Sequence, residues 1–248
     1  MIHLSIVSHH HDELIIRNAS LSVIAKKYHI TIKCNTPASD ALISFATENK
    51  ITLIDENYYV GFGENNNIVF AFLLKNQLIT ESDYFLVINP DLFIEKTEIE
   101  KLENSLSTLT GDIFTINLFY DPLFLKPETS IRHFPSLTGP LKGLLSKDHR
   151  SDAYDKNSII EPTPIDWAAG SFLLFKKQAY HQLDGFSEKY FMYFEDVDIC
   201  RRAKKMGMQL IYLPDIKAMH KGGFNNRNIF SKHFRWYLKS YLTYHFFS

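Results

Sequence analysis

Three carboxylates stand within four residues in the segment FMYFEDVDICRR, which runs from Phe191 to Arg202. Glu195, Asp196 and Asp198 follow a block of aromatic residues, and aromatic neighbours exclude the water that would screen like charges. This crowding raises the cost of ionising each acid, and a fold uses it most readily for proton transfer or for holding a cation. Acidic residues also favour the first turn of a helix, where they complement the helix dipole. The segment alone therefore leaves a catalytic and a structural interpretation open.

Helical geometry separates the three acids. A helix that begins at Glu195 places Asp198 and Arg202 on the same face as that residue. The four-residue spacing predicts an ion pair between Asp198 and Arg202. Asp196 lies on another face, lacks such a partner and is free to face a crevice.

Two further motifs are expected at the carboxyl ends of strands. Asn89-Pro90-Asp91 follows an apolar run, where the carboxylate can hold a hard cation that bridges a diphosphate or can serve only as a turn former. The stretch YVGFGENNN, from Tyr59 to Asn67, opens a helix. Its Gly61 and Gly63 would let a ligand approach the backbone, although a turn with capping asparagines fits as well. It is not a Walker A loop, because no Gly-Lys-Ser/Thr follows.

The second half of the chain pairs an acid with an indole and ends in a late histidine. Asp166-Trp167-Ala168-Ala169-Gly170 suits a sugar, whose C–H face stacks on an aromatic ring while its hydroxyls need acceptors; a core tryptophan beside a solvated acid fits equally. His220 would complete a metal site if the fold brings it near Asp91, although a single histidine is more often structural.

The composition is that of a globular chain long enough to bury a core. It has 248 residues, 45% of them hydrophobic and 22% charged, and a net charge of −1, so that no global field recruits nucleic acid. Its two cysteines, Cys34 and Cys200, make no disulfide framework and fit a reducing compartment. The first residues lack a signal-peptide pattern, and no apolar run reaches the roughly 20 residues that span a bilayer. We therefore expect a cytoplasmic protein without a membrane span.

Strand and helix patterns alternate in the first half and predict an α/β nucleotide-binding half with parallel strands. The predicted strands are Ile2–Ser8, Ile30–Cys34, Ile51–Ile54 and Tyr84–Ile88, and the predicted helices are Leu14–Ile24, Ala41–Asn49 and Asn65–Leu78. From Tyr120 to Pro164 the periodicity fails, and a basic cluster of Lys142, Lys147, His149 and Arg150 lies in this irregular segment, which favours a functional or mobile region. Order resumes with a strand at Ser171–Phe175, a helix near Lys177–Leu183, the acidic helix ended by Gly207 and a strand at Gln209–Leu213.

The last residues form an amphipathic helical pattern. Aromatic residues share one face, and basic residues lie opposite. The aromatic set is Phe230, Phe234, Tyr237, Tyr241 and Tyr244, and the basic set is Lys232, Arg235 and Lys239. Such a helix can lie in a membrane interface, or its stripe can pack on the domain or on a second subunit.

Taken in order, NPD, DWAAGS, FMYFEDVDICRR and the late His-Lys-Gly-Gly resemble the inverting glycosyltransferases of family 2, which have the GT-A fold. GFGENNN, VINPD, DWAAGSF, YFMYFEDVD and FSKHFRWYLKS together are most similar to enterobacterial O-antigen rhamnosyltransferases. The resemblance runs from Ile2 to about Gly223. It implies an α/β fold with a mixed, mostly parallel central sheet flanked by helices. The expected domain spans residues 1–223, with a nucleotide-sugar half at 1–119 and an acceptor half at 120–223, followed by the amphipathic helical extension at 224–248.

The resemblance also implies an activity. Rhamnose would pass from dTDP-L-rhamnose to a GlcNAc-diphosphate-polyprenol acceptor in O-antigen, and hence lipopolysaccharide, biosynthesis, with a divalent metal (Mg²⁺ or Mn²⁺). The enzyme would lie on the inner face of the bacterial inner membrane through its C-terminal helix, with a homodimer as a further possibility. A transferase that uses a UDP- or GDP-linked sugar, a nucleotidyltransferase and a non-catalytic sugar-binding module are the alternatives.

Residue roles carry over by position. Asp196 matches the family's catalytic base, with Glu195 orienting the acceptor, which agrees with the separate helical face of Asp196. Asp91 and His220 match the metal ligands, and Asn89 stands in the place of the first acid of the D-x-D-like motif. The acceptor positions are Asp166, Trp167, Gly170 and Tyr193. The donor positions are Asn35, Gly61, Gly63, Asn66, Asn89, Asp91, Arg201 and Arg202.

The sequence departs from the family pattern at one place. Family members usually carry an Asp-Asn pair after the second strand, where the acid contacts the nucleoside, and this chain has Cys34-Asn35. Asn35 and Asp40 are the candidates to replace that acid.

Overall fold

The computed structural model describes residues 1–137, 152–222 and 231–247 of the chain. The basic cluster at 142–150, Phe230 and the expected domain boundary at residue 223 lie outside this part.

The first half of the chain forms a parallel sheet. The strands are β1 (Ile2–Ser8), β2 (His29–Cys34), β3 (Thr52–Ile54) and β4 (Tyr84–Ile88), and they pair in the order β3–β2–β1–β4. The helices between them are α1 (Asp12–Ile16), α2 (Ala19–Ile24), α3 (Asp40–Glu48) and α4 (Phe62–Lys75). Because parallel strands end at one edge of a sheet, the residues after β1, β2 and β4 lie side by side there, as predicted for a ligand site.

Two details of this half differ from the predicted elements. The single helix expected from Leu14 to Ile24 is divided at Asn18, whose buried side chain donates to the Leu92 carbonyl oxygen over 3.1 Å. Helix α4 begins at Phe62, three residues before the predicted start at Asn65.

The second half continues the same sheet with mixed strand directions. Its elements are β5 (Leu92–Phe93), α5 (Lys96–Ser105), β6 (Ile113–Phe119), β7 (Ile131–Arg132), a 3₁₀ turn (Lys156–Ser158), β8 (Thr163–Ile165), β9 (Trp167–Ala168), β10 (Phe172–Lys176), α6 (Lys177–Gln182), α7 (Glu195–Lys205) and β11 (Leu210–His220). The order continues β4–β10–β6–β11–β5, with β10 antiparallel to both of its neighbours, and only the β6–β11 pair is parallel among the described strands of this half. A mixed α/β sheet is therefore confirmed, whereas parallel pairing dominates only in the first half.

Apolar side chains cover both faces of the sheet. In β4, Leu86 and Ile88 join the cluster that includes residues of α2, α3 and α5, and Phe85 and Val87 join the cluster under α4, α6 and α7. Burial on both faces explains why β4 is a continuous apolar run, and in β1 it also covers the polar residues His3 and Ser5. Strands β7 and β9 form a separate two-stranded sheet; β7 lies in the segment where the periodicity failed, and β9 follows that segment.

The C-terminal helix α8 (Lys232–Phe246) packs on the domain through its aromatic stripe. The rings of Tyr237, Tyr241 and Tyr244 lie 5.5, 5.8 and 5.4 Å from the ring of Phe194. The stripe therefore covers the protein itself, which corrects the interpretation in which this face enters lipid. In the part of the chain that the structure describes, no helix is both long and apolar enough to cross a membrane.

Candidate active site

Antiparallel pairing of β11 with β5 brings His220 beside Asp91. His220 is the last residue of β11 and pairs with Leu92 of β5. Leu92 directly follows Asp91 in the chain. Its Nε2 lies 3.2 Å from Oδ1 of Asp91 and 3.3 Å from the side-chain nitrogen of Asn89. The amide of Gly222 donates to Oδ2 of Asp91 over 3.0 Å. The three residues expected at one cation site are thus adjacent.

Glu128 completes this group, and sequence reasoning missed it. Its Oε2 lies 2.9 Å from Nδ1 of His220, on the side of the ring away from Asp91. Burial alone would lower the pKa of His220, but its hydrogen bonds to Asp91 and Glu128 raise it to about 9. Burial would raise the pKa of Asp91, but the hydrogen bond to His220, the charge of that ring and backbone hydrogen bonds, including that from Gly222, together lower it. Glu128 stands in the irregular, proline-containing segment, where no pattern marked it.

The Asp91–His220 pair fits a cation that a bound diphosphate completes. No three His, Cys, Asp or Glu side chains in the described residues converge into a group that could hold a metal alone. Mg²⁺ is usually bound by one or two carboxylates together with substrate phosphates. A histidine ligand usually donates its other ring N–H to a carboxylate, and Glu128 is placed to accept from Nδ1. Asp91 and His220 would therefore be the protein ligands.

The acidic segment begins α7, and Asp196 is held at the start of that helix. The amide of Gly170 donates to Oδ2 of Asp196 over 3.0 Å, and the amide of Val197 donates to Oδ1 over 2.8 Å. Burial raises the pKa of Asp196 despite these bonds. Burial, and then the charge of Asp196, raise the pKa of Glu195, whose Oε2 is buried without a hydrogen-bond partner in the described residues. A carboxylate that binds a proton more readily than usual suits a general base.

The pairing of β4 with β10 connects the two groups of residues. The amide of Asn89 donates to the carbonyl oxygen of Ser171 over 3.1 Å. Ser171 follows Gly170, which holds Asp196. The Asn89–Asp91 turn and the carboxylate of Asp196 are therefore joined through one short stretch of backbone at the carboxyl edge of the sheet.

Asp198 and Arg202 form the predicted ion pair. Arg202 Nε donates to Asp198 Oδ2 over 2.7 Å, and its two terminal nitrogens donate to the carbonyl oxygens of Leu183 and Gly185. Arg201 lies with its guanidinium carbon 4.9 Å from the centre of the Tyr244 ring. Both arginines thus contact the neighbours of α7, and the diphosphate contact that the sequence suggested stays a prediction.

The expected donor residues of the first half turn out to hold the protein together. Asn35 exchanges two hydrogen bonds with the backbone of Val60, 2.9 and 3.0 Å long. Asn66 is buried, accepts from Ser5 Oγ over 2.7 Å and donates to the Phe62 carbonyl oxygen over 2.9 Å. Both side-chain amides therefore bond within the fold, and their contact with the nucleotide stays a prediction.

Gly61 and Gly63 are required by packing as well. A Cβ at Gly61 would lie 2.8 Å from the carbonyl oxygen of Phe191, and one at Gly63 would lie 2.5 Å from Cβ of Phe186. Protein atoms occupy the space that a ligand was expected to use. The two glycines let α4 approach the segment that leads to α7, and so they position the candidate base indirectly.

Two carboxylates flank position 34, where the family's acid is replaced. Asp12 accepts from Ser8 Oγ and from the Ser39 amide, both over 2.8 Å. Asp55 accepts from the Ala38 amide over 3.0 Å. Burial, together with the charges of Asp55 and Asp12, raises the pKa of Cys34 to about 12. Asp40, the other candidate from the sequence, is exposed at the first turn of α3.

The expected acceptor residues have different contacts. The carboxylate of Asp166 lies 2.9 Å from His133 Nδ1 and 2.6 Å from Lys204 Nζ, so it is paired with these two neighbours. The indole of Trp167 donates to the His133 carbonyl oxygen over 2.9 Å. Gly170 and Tyr193, in contrast, are next to the acids, Gly170 through its bond to Asp196 and Tyr193 through the backbone.

Arg132 is a cation beside Asp196 that the sequence did not indicate. It lies on β7 opposite Trp167, and its positive charge lowers the pKa of Asp196 against the effect of burial. Its Nη1 donates to Asp152 over 3.0 Å, and its Nε donates to the Thr129 carbonyl oxygen over 3.1 Å. The side chain is 27% exposed. The position of Arg132 follows from the pairing of β7 with β9, and strands of two residues are too short to be predicted from a sequence period.

The structure has the GT-A fold of glycosyltransferases. The structure superposes on that of GalNAc-T7 with UDP, GalNAc and Mn²⁺, with a TM-score of 0.65 at 12% identity, over 98% of this chain and 47% of that one. No model of a known protein family matches the chain.

Relatives in sequence identify the family. The rhamnosyltransferase WbbL of Escherichia coli (strain K12) is 31% identical over 247 residues, 98% of this chain and 92% of WbbL. The N-acetylglucosaminyl-diphospho-decaprenol L-rhamnosyltransferase of Mycobacterium tuberculosis is 32% identical over 151 residues, 56% of this chain and 47% of the relative. The chain belongs to the family of rhamnosyltransferases that contains WbbL.

Proposed function

We propose that this rhamnosyltransferase moves L-rhamnose from dTDP-L-rhamnose to a GlcNAc-diphosphate-polyprenol in O-antigen synthesis, with inversion at the anomeric carbon. The observation that carries the proposal is the backbone connection between Asp196 and the Asn89–Asp91 turn. It puts a carboxylate with a raised pKa next to the sheet edge where a nucleotide diphosphate binds in folds of this kind. The name of the mycobacterial relative supports the same acceptor class.

The proposed reaction is a single displacement. The acceptor hydroxyl oxygen attacks the anomeric carbon of rhamnose, the bond from that carbon to the diphosphate breaks on the opposite face, and Asp196 takes the hydroxyl proton. The Gly170 amide holds Oδ2 of Asp196, which fixes the direction of the carboxylate. Glu195 lies next to it and orients the acceptor. Alignment of the two substrates supplies much of the remaining rate enhancement.

A divalent cation, Mg²⁺ or Mn²⁺, would be held by Asp91 and His220 with the donor's phosphates. When bound, it would neutralise charge on the departing nucleotide. Glu128 keeps His220 oriented through Nδ1. Asn89 lies beside this pair and helps to shape the same edge.

The acceptor side has features suited to a lipid diphosphate. Arg132 supplies positive charge near Asp196, while its three nitrogens donate to Thr129 and Asp152, so it would act on a diphosphate through its charge. Tyr193 stands beside the acids and borders the same region. Gly170 leaves room next to Asp196, because any larger side chain there would press against the Phe62 ring.

The outward face of α8 is proposed as the membrane contact. Its inward stripe is covered, but Leu238, Leu242 and Phe246 are 46, 44 and 60% exposed, and Arg235 and Lys239 are exposed on the same side of the helix. Apolar side chains among cations suit the surface of an anionic bilayer. This would keep the enzyme peripheral on the inner face of the bacterial inner membrane, where a polyprenol-linked acceptor is found.

A donor panel tests the proposal. The purified chain is incubated with synthetic GlcNAc-diphospholipid, Mn²⁺ and one donor at a time: dTDP-rhamnose, UDP-GlcNAc or a GDP-linked sugar. Mass spectrometry then gives the mass of the lipid product. Rhamnose addition from dTDP-rhamnose alone, with inverted anomeric configuration by NMR, is expected. Transfer from a UDP- or GDP-linked sugar instead would overturn the donor assignment. In a parallel incubation with added pyrophosphate, conversion of the nucleotide sugar to a nucleoside triphosphate and a sugar 1-phosphate without glycosylation would indicate nucleotidyl transfer, and binding without turnover would indicate a sugar-binding module.

A further inference from the structure

The segment directly before the catalytic acids has an uncommon backbone. Tyr193 and Phe194 are consecutive non-glycine residues with φ of 68° and 67°, in the left-handed region that bulky residues seldom adopt. Glu195 and Asp196 follow at once as the first residues of α7. The conformation of this segment therefore sets the direction in which both acids project. Such a conformation persists only where the surrounding structure imposes it.

Helix α8 supplies the contacts that hold this segment. Ser240 Oγ donates to the Met192 carbonyl oxygen over 2.9 Å. The Tyr193 hydroxyl lies 3.0 Å from Nδ1 of His233, within hydrogen-bond distance. Each residue of the segment therefore has a partner some forty to fifty positions later in the chain.

Phe194 is the centre of the contact. Only 7% of it is exposed, and its ring lies between three tyrosine rings of α8, at 5.4 to 5.8 Å. Tyr244 is 2% exposed and Ser240 is 4% exposed, so neither can touch a substrate. The ring of Phe194 therefore packs against α8 and does not face a substrate.

We propose that α8 is a positioning element of the active site, which holds Met192, Tyr193 and Phe194 so that Asp196 keeps its bond to Gly170. The proposal rests on the proposed role of Asp196 as the base. It gives α8 two faces with separate tasks, because the inward face positions the acids and the outward face is left for the membrane. Turnover should therefore depend on the inward face even with a short-chain acceptor and no membrane.

The test replaces the buried ring of Tyr244. Tyr244→Ala opens the space beside Phe194, Tyr244→Phe keeps the ring, and Thr243→Ala is the matched control from the neighbouring position. We measure kcat with a water-soluble GlcNAc-diphosphate acceptor of short chain length, and the Kd of dTDP with Mn²⁺ by calorimetry. Tyr244→Ala should lower kcat about tenfold or more, since small displacements of catalytic groups are costly. Its Kd for dTDP should change less than about twofold, and Tyr244→Phe and Thr243→Ala should keep wild-type kcat.

Other results would overturn the proposal. A folded Tyr244→Ala protein with wild-type kcat does so, and so does a loss of dTDP binding that matches the loss of kcat, because that indicates a general structural effect. If Tyr244→Ala does not fold, Ser240→Ala decides: a lower kcat at unchanged dTDP affinity supports the proposal, and an unchanged kcat overturns it. If wild-type protein binds dTDP but transfers no rhamnose, the proposed function fails, and the variants are compared with the donor that the panel identifies.

Discussion

The amide of Gly170 donates to Oδ2 of Asp196 over 3.0 Å, which ties the first turn of α7 to the strand pair that carries the Asn89–Asp91 turn. This bond fixes a carboxylate with an elevated pKa at the sheet edge. Packing accounts for the glycine at position 170, because a Cβ there would lie 3.2 Å from the Phe62 ring.

The pH dependence of turnover should report the pKa of Asp196. A base works when deprotonated, so activity falls as the pH drops through its pKa. Because burial raises the pKa of Asp196, the acid limb of kcat/KM should lie above the value of about 3.9 for a free aspartate. Arg132 lowers that pKa, and Arg132→Met should therefore move the limb to higher pH. An acid limb that Arg132→Met leaves in place, or that lies at pH 4 or below, would contradict this account.

Glu128 should matter for metal-dependent donor binding although it is not placed to touch the metal. Glu128→Ala removes the partner of His220 Nδ1, and loss of such partners typically costs 10- to 100-fold in metal affinity. Titration of Mn²⁺ into protein saturated with dTDP, followed by calorimetry, measures the effect. Asp91→Ala should abolish the metal dependence altogether. Wild-type Mn²⁺ affinity in Glu128→Ala would show that its bond to His220 is unrelated to a cation.

Arg202 should contribute to stability and not to donor affinity. Arg202→Ala leaves the buried Asp198 carboxylate and two carbonyl oxygens without their donor, which should lower the free energy of unfolding by about 3 kcal/mol. Urea unfolding checks the change, and Lys205→Ala, on the exposed side of α7, is the control and should stay within about 0.5 kcal/mol of wild type. An Arg202→Ala protein of normal stability but weak dTDP binding would restore the diphosphate role suggested by the sequence.

The outward face of α8 should govern attachment to anionic vesicles. The double change Leu242→Glu and Phe246→Glu adds charge to exposed apolar positions, and it should reduce co-sedimentation with phosphatidylglycerol vesicles several-fold. The Kd of dTDP should stay the same. Ile43→Glu, at an exposed position of α3, is the matched control. Equal co-sedimentation of the double variant and the control would place the membrane contact elsewhere.

Local patterns in the sequence predicted the elements whose burial is uniform. Strands β1 and β4 have the predicted bounds: β4, which is covered on both faces, is an unbroken apolar run, and β1 is mainly apolar with His3 and Ser5 between its aliphatic residues. The Asp198–Arg202 pair followed from helical spacing alone. The order of the motifs in the sequence was enough to indicate the family. In the structure, NPD, the acidic segment and the late histidine meet at one sheet edge.

Tertiary contacts decided what the sequence could not predict. Glu128 lies outside the helices and strands and Arg132 lies on a strand of two residues, so neither belongs to a stretch long enough to show a period. Gly61, Gly63 and Asn66 have the residue types of a phosphate-binding loop, but their neighbours are Phe191, Phe186 and Ser5. The aromatic stripe of α8 has the same spacing whether it meets lipid or protein, and only the position of Phe194 distinguishes the two.

The most direct measurement of the central claim compares wild type with Asp196→Asn in rhamnose transfer from dTDP-rhamnose to GlcNAc-diphospholipid. The amide keeps the size of the side chain and an oxygen for the Gly170 N–H, but it cannot take a proton at neutral pH. The account predicts a fall in kcat of about 10²- to 10⁴-fold, the usual contribution of a general base, with the Kd of dTDP within about twofold of wild type. Turnover by Asp196→Asn near the wild-type rate would contradict the assignment of Asp196 as the base.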